Sequence, residues 1–171
     1  MASPVLVSVG EYLATSYRPD CDYIDGELVE RNMGEKDHSA LQTELVTWLN
    51  SRKNDLGIRV FVEQRVRISA SRFRIPDICV YAGKAPAEQV FTTPPLICIE
   101  ILSPSDTLRS FQQRVDDYVA FGVPHIWLVD PVSRRAWVCS GSAMVEEQSG
   151  TLSTAEPAIA LPFVEIMTAL D

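Results

Sequence analysis

Apolar and polar positions change period several times along the chain, and each change marks an element. Ser8-Val9-Gly10-Glu11, followed by Tyr12 and Leu13, has the form of a capping box and predicts a short helix. Asp22-Tyr23-Ile24 and Glu27-Leu28-Val29 flank Asp25-Gly26, a pair that supplies the positive-φ residues of a tight hairpin. From Asp37 the period lengthens. Leu41, Leu45, Trp48 and Leu49 form one stripe of an amphipathic helix, closed by Asn54 and Gly57. Residues 58–68 then alternate like a strand, with Val60, Val62, Gln64, Val66 and Ile68 on one face and Glu63, Arg65 and Arg67 on the other. Two short β-branched runs follow, Ile75–Tyr81 and Leu96–Leu102, joined by a loop containing Gly83, Pro86, Pro94 and Pro95. Ser103-Pro104-Ser105-Asp106 resembles a helix start, ahead of a stripe of Leu108, Phe111, Val115, Tyr118 and Val119 that closes near Gly122. His125–Val129 and Arg135–Cys139 read as strands about an Asp130-Pro131 turn, and the tail adds a strand at 158–161 and a last helical turn or two. That order predicts an α/β (α+β) layer structure in one domain over residues 1–171.

Composition narrows the class. Apolar residues make up 46% and charged residues 22% of the 171, which excludes disordered and collagen-like chains. No apolar run approaches the ~18–20 residues of a membrane helix, and the first residues lack the basic flank and long apolar stretch of a leader, so a soluble, non-exported protein is expected. The net charge of −8 argues against a dedicated nucleic-acid coat. Residues 52–74 nevertheless hold seven basic groups against two acidic ones, either a face for a polyanion or an ordinary solvated surface. Cys21, Cys79, Cys98 and Cys139 are far apart with no C-x-x-C pair, which argues against structural zinc and a disulfide scaffold and points to a reducing cytoplasm.

Asp77 and Glu100 each interrupt an apolar strand, where a carboxylate is costly to desolvate without a compensating cation. If the strands are antiparallel and Asp77 faces Glu100, paired positions sum to 177 and Cys79 faces Cys98. Side-by-side carboxylates repel, raising one pKa unless a hard cation sits between them, and Mg²⁺ or Mn²⁺ suits such an oxygen site. An arginine partner such as Arg74, or simple exposure, is the alternative. A softer metal on Cys79 and Cys98 is a further one, should the carboxylates be misassigned.

Arg74-Ile75-Pro76-Asp77 on one strand and Ile99-Glu100-Ile101-Leu102-Ser103-Pro104-Ser105 on the next form an ordered set with several other motifs. These are Asp25-Gly26-Glu27-Leu28, a helix-opening His38, Tyr118 four residues before Gly122-Val123, and Trp127-Leu128-Val129-Asp130-Pro131. The set resembles the Uma-type family of putative restriction endonucleases, within the PD-(D/E)xK nuclease superfamily, over nearly the whole chain. The resemblance implies a restriction-endonuclease-like core, a mixed β-sheet flanked by helices, with Asp77 and Glu100 holding Mg²⁺ or Mn²⁺ for phosphodiester hydrolysis. The superfamily's lysine two residues after the glutamate is replaced here by Leu102. In the resembling family it moves to the following helix, four residues before the tyrosine, where this chain has Arg114. At 100° per residue from Leu108 the apolar stripe spans about 280° to 20° and Arg114 lies at about 240°, on its edge and within reach of a neighbouring strand. Arginine stays protonated, so it suits phosphate binding and is a poor general base.

Three further side chains are candidates. His38, one turn before Leu41, is either a buried or capping histidine or a site residue. Gln64 on the apolar side of its strand either makes a core hydrogen bond or positions water near the carboxylates. Glu27 either approaches the site from the hairpin or lies exposed. The expected activity is Mg-dependent endonuclease cleavage of DNA, with Asp77, Glu100 and Arg114 as the catalytic set. The alternative is a catalytically reduced nuclease fold that binds nucleic acid or a protein partner without cutting. A homodimer is expected, because two cuts on a duplex need two sites.

Overall fold

The computed structural model describes residues 6–31 and 34–170, so the first five residues, read above for a leader, lie outside it. A six-stranded sheet forms the centre. It comprises β3 (Ile58–Val62), β6 (Ile78–Ala82), β7 (Ile97–Ile101), β8 (His125–Asp130), β9 (Arg135–Ser140) and β10 (Ala143–Glu146), in the order β10-β9-β8-β7-β6-β3. Only β7 and β8 run parallel, connected by helix α3 (Leu108–Phe121) as a crossover, which makes the sheet mixed. The predicted register holds: Cys79 pairs with Cys98 and Ile78 with Ile99, so paired positions sum to 177.

Both faces of the sheet are covered, which is why β6 and β7 read as continuous apolar runs. Ile78, Val80, Ile97, Ile99, Trp127 and Val129 face α2 (Lys36–Ser51) and α4 (Phe163–Thr168), where Leu41, Leu45 and Leu49 complete a fully buried layer. Each such side chain contributes roughly 1.5–3 kcal/mol of transfer free energy. Cys79, Cys98, Ile126 and Leu128 face the other way, onto Phe111, Val115 and Tyr118 of α3. The α3 stripe is narrower than its sequence predicts, since Leu108 is 74% and Val119 41% exposed. The helix also starts later than Ser103-Asp106: Thr107 is the N-cap, in a capping box with Ser110, and Gly122 closes the other end at φ +96°.

The expected strand over 58–68 is two strands. Glu63 adopts a left-handed φ of +48°, ending β3 and turning the chain into β4 (Val66–Ser69) of a second sheet. That sheet runs β2-β1-β5-β4, with β1 (Cys21–Ile24), β2 (Glu27–Glu30) and β5 (Arg72–Arg74). Asp25 (φ +52°) and Gly26 (φ +98°) form the two-residue turn between β1 and β2, as their sequence predicts. Its core is aromatic: Tyr12 of α1 (Val9–Ala14) stacks on Tyr23 at 4.9 Å and packs on Phe73 at 5.4 Å. Buried ion pairs weld this sheet to α3. Arg74 donates to Asp22 at 2.8 Å and to Asp117 at 2.6 and 2.7 Å, and Arg72 reaches Asp117 at 2.5 Å. Two arginines of the basic stretch are thus neutralised internally, while Arg52 and Arg65 lie over the Trp48 and Tyr12 rings. The tail carries a small hairpin of β11 (Leu152–Thr154) and β12 (Ile159–Leu161) before α4. Among the described residues no helix is long and apolar enough to cross a membrane.

Candidate active site

Asp77 immediately precedes β6 and Glu100 lies near the end of β7. Because these strands are antiparallel, both residues come to the same end of the sheet, and the 177 register puts them on the α3 face. Each is only 3% exposed. Both line a cavity of about 630 Å³ walled by the β1–β2 hairpin, the start of α2, the Glu63 turn and the start of α3.

Asp77 is gripped from two directions. The Ile101 backbone N–H donates to its Oδ2 at 2.7 Å, and His38 Nε2 lies 3.3 Å from the same oxygen. Its Oδ1 receives the Arg31 guanidinium. Burial pushes the carboxyl up, but the His38 hydrogen bond, the Arg31 and His38 charges and the Ile101 N–H together hold it below its ordinary value. The same contact raises the His38 imidazole, the hydrogen bond to Asp77 outweighing burial there.

Glu100 has different company. Tyr118 Oη donates to its Oε1 at 2.5 Å, and Arg114 Nε lies 3.2 Å from its Oε2 without an aligned hydrogen bond. Full burial and the nearby Asp77 charge push its carboxyl up to about 7, against the pull of Arg114 and Arg31. Arg114 also donates to Asp106 Oδ1 at 2.8 Å, and the Ser103 N–H fixes the other Asp106 oxygen at 3.0 Å. The edge position of Arg114 on its helix thus brings it to the strand carboxylate, with Tyr118 one turn further on α3.

Of the sequence candidates, Asp77, Glu100, Arg114 and His38 come together in one cavity, and Glu27 stands exposed on its rim. Gln64 does not join them. The left-handed Glu63 reverses the expected alternation, so Gln64 turns away and donates to the Arg65 and Gln89 carbonyls at 3.0 and 2.9 Å. Arg74, the arginine partner that the sequence offered as an alternative to a metal, serves Asp22 and Asp117, whereas Arg31 serves Asp77.

Sequence reasoning did not find Arg31, Glu63, Gln42 or Asp106. Only Gln42 carried a local signal: one helical turn after His38, it donates to the Asp77 carbonyl at 2.9 Å and to Glu63 Oε1 at 3.0 Å.

Eight carboxylates line the cavity against three guanidiniums and His38, a field that draws in cations. Two buried hard-oxygen donors fit an ion such as Mg²⁺, which keeps several waters and takes one or two protein carboxylates. Among the described residues no three His, Cys, Asp or Glu side chains are grouped to cage a metal by themselves.

The chain matches, over residues 10–167, the Uma2 family model, described as putative restriction endonuclease. The chain belongs to the Uma2 family. Within the solved structures this Uma2 chain is similar to a putative nuclease of the DUF820 group from Anabaena variabilis, with a TM-score of 0.81 and 24% identity over 96% of this chain and 99% of that one. That likeness shows the fold, a mixed sheet flanked by helices. A DrdV–DNA complex aligns at a TM-score of 0.38 with 17% identity, over 79% of this chain and 13% of that one, too slight a likeness to inform the site. No curated protein matches the chain.

Proposed function

We propose that this Uma2 chain is an endonuclease that hydrolyses DNA phosphodiester bonds with Mg²⁺ or Mn²⁺ held by Asp77 and Glu100. The observation that carries this reading is the convergence of two buried carboxylates, from separate strands in one register, in a single strongly acidic cavity. When bound, the divalent ion polarises a phosphate oxygen, lowers the pKa of water and shields carboxylates from phosphate.

The chain's own residues supply positioning and charge. The Ile101 N–H and His38 orient Asp77, and Tyr118 fixes Glu100. Arg114, kept protonated because the Glu100 and Asp106 charges outweigh its burial, supplies positive charge for phosphate and does not accept the water's proton. Cleavage of both strands would use two sites, in a homodimer.

A second reading has its own observation. Each strand carboxylate already carries a guanidinium, Arg31 on Asp77 and Arg114 on Glu100, and Leu102 stands where the superfamily lysine would be. That arrangement suits a nuclease fold that binds nucleic acid or a protein without cutting it. Nicking of supercoiled plasmid with Mg²⁺ or Mn²⁺ separates the two. The first reading expects nicking that Asp77→Ala abolishes. Absence of cleavage with either metal, alongside retained DNA binding, supports the second, and nicking that survives Asp77→Ala overturns the site assignment.

A further inference from the structure

Arg31 follows β2 and projects into the cavity between Asp77 and Glu63. One of its nitrogens, Nη2, touches Asp77 Oδ1 and lies 3.1 Å from Glu63 Oε2. The charges of Asp77, Glu63, Asp22 and Glu100 all act on this guanidinium. A cation shared by Asp77 and Glu100 would therefore meet Arg31 first.

The two Asp77 oxygens are held in unlike ways. Oδ2 accepts from a backbone N–H inside the sheet, at Ile101, which cannot leave without breaking β7. Oδ1 is bound by a side chain on a flexible stem. Glu63 is held independently of Arg31, because Gln42 Nε2 donates to its other oxygen at 3.0 Å. Arg31 thus has a fixed second anchor beside a releasable first one.

We propose that Arg31 is an exchangeable counter-ion: it neutralises Asp77 in the metal-free protein and yields Oδ1 to the divalent cation while staying anchored on Glu63. The proposal rests on the reading of Asp77 and Glu100 as cation ligands. It makes Arg31 a positioning residue that sets cation affinity by competition, in addition to the attraction of the acidic cavity.

Calorimetric titration of the full chain with Mn²⁺ tests this with Arg31→Gln, Arg31→Lys and Asp77→Asn beside the parent. Arg31→Gln is expected to tighten binding about tenfold to a hundredfold, the range of one charge-assisted hydrogen bond. Arg31→Lys keeps the charge but loses the planar fork, and is expected to tighten it by less. Asp77→Asn is expected to abolish it. Unchanged or weaker affinity in Arg31→Gln, or Arg31→Lys equal to the parent, overturns the exchange; binding lost in Asp77→Asn then leaves the ligand assignment standing. Silence in all four proteins overturns both, whereas binding seen in both Arg31 variants and absent from the parent supports exchange in its most competitive form. Melting temperature gives a second readout if folding suffers. Arg31→Gln should melt below the parent in EDTA and gain more from Mn²⁺, and equal gains contradict the proposal.

Discussion

Asp117→Asn probes the joint on which the cavity's geometry depends. Asp117 is 6% exposed and receives Arg74 through two nitrogens, at 2.6 and 2.7 Å, and Arg72 at 2.5 Å. Asparagine keeps the shape but removes the charge and aims an NH₂ group at guanidinium donors. Arg74, itself 4% exposed, would keep only Asp22, at 2.8 Å, as a charged partner. Removing one partner of a buried pair costs about 3–5 kcal/mol, and the surviving Asp22 contact places this case near the lower end, about 3 kcal/mol. The Arg72 arm adds less than about 1 kcal/mol, because that side chain is 35% exposed and screened. In a protein of 171 residues a loss of about 3 kcal/mol lowers the melting temperature by roughly 6–12 °C. Thermal melts and urea titrations at pH 7 read both quantities, with Asp25→Asn, at the exposed end of the same network, as a control expected to leave the melting temperature nearly unchanged. A loss below about 1 kcal/mol in Asp117→Asn would refute the claim that this pair welds the small sheet to α3.

Tyr118→Phe removes the buried donor to Glu100 and should cost about 2 kcal/mol at pH 8, where the carboxylate is charged, and less at pH 5; equal urea midpoint shifts at both pH values would contradict this. Glu100 itself has its carboxyl raised from 4.5 to about 7, so the folded protein favours the proton. The resulting stabilisation is complete below the unfolded value of 4.5 and lost as pH climbs through about 7. Melting curves in EDTA should therefore show the stability of Glu100→Gln relative to the parent rising from pH 5 to pH 8, and a constant difference would refute the shift. Arg114→Lys restores a group able to exchange a proton and should increase plasmid nicking with Mn²⁺; equal or lower nicking would mean that Arg114 does not stand in the lysine's place.

The sequence pattern carried the frame further than the site. The pairing of Cys79 with Cys98 follows once the single charges of two short apolar runs are set opposite each other, and the structure has that register. The hairpin at Asp25-Gly26 was legible because its turn needs positive φ at both positions. The break at Glu63 was not, because Val60, Val62, Val66 and Ile68 keep alternating across it and no glycine marks its left-handed backbone. That turn put Glu63, rather than Gln64, beside the carboxylates. Arg31 was illegible for another reason: its role comes from a contact between residues 46 positions apart, with no local period to announce it. Arg114 sits between these cases, its helical angle readable but its second partner, Asp106, hidden in what looked like a helix start.

Asp77 and Glu100 are held at one end of a mixed sheet, oriented by Ile101, His38 and Tyr118, and neutralised by Arg31 and Arg114. The most direct test of their proposed role is the anomalous difference map of a crystal of the full chain soaked in Mn²⁺. The account predicts one strong peak in contact with both carboxylates, with Arg31 withdrawn toward Glu63. A peak elsewhere, or Arg31 still capping Asp77 beside an empty map at saturating Mn²⁺, would contradict it.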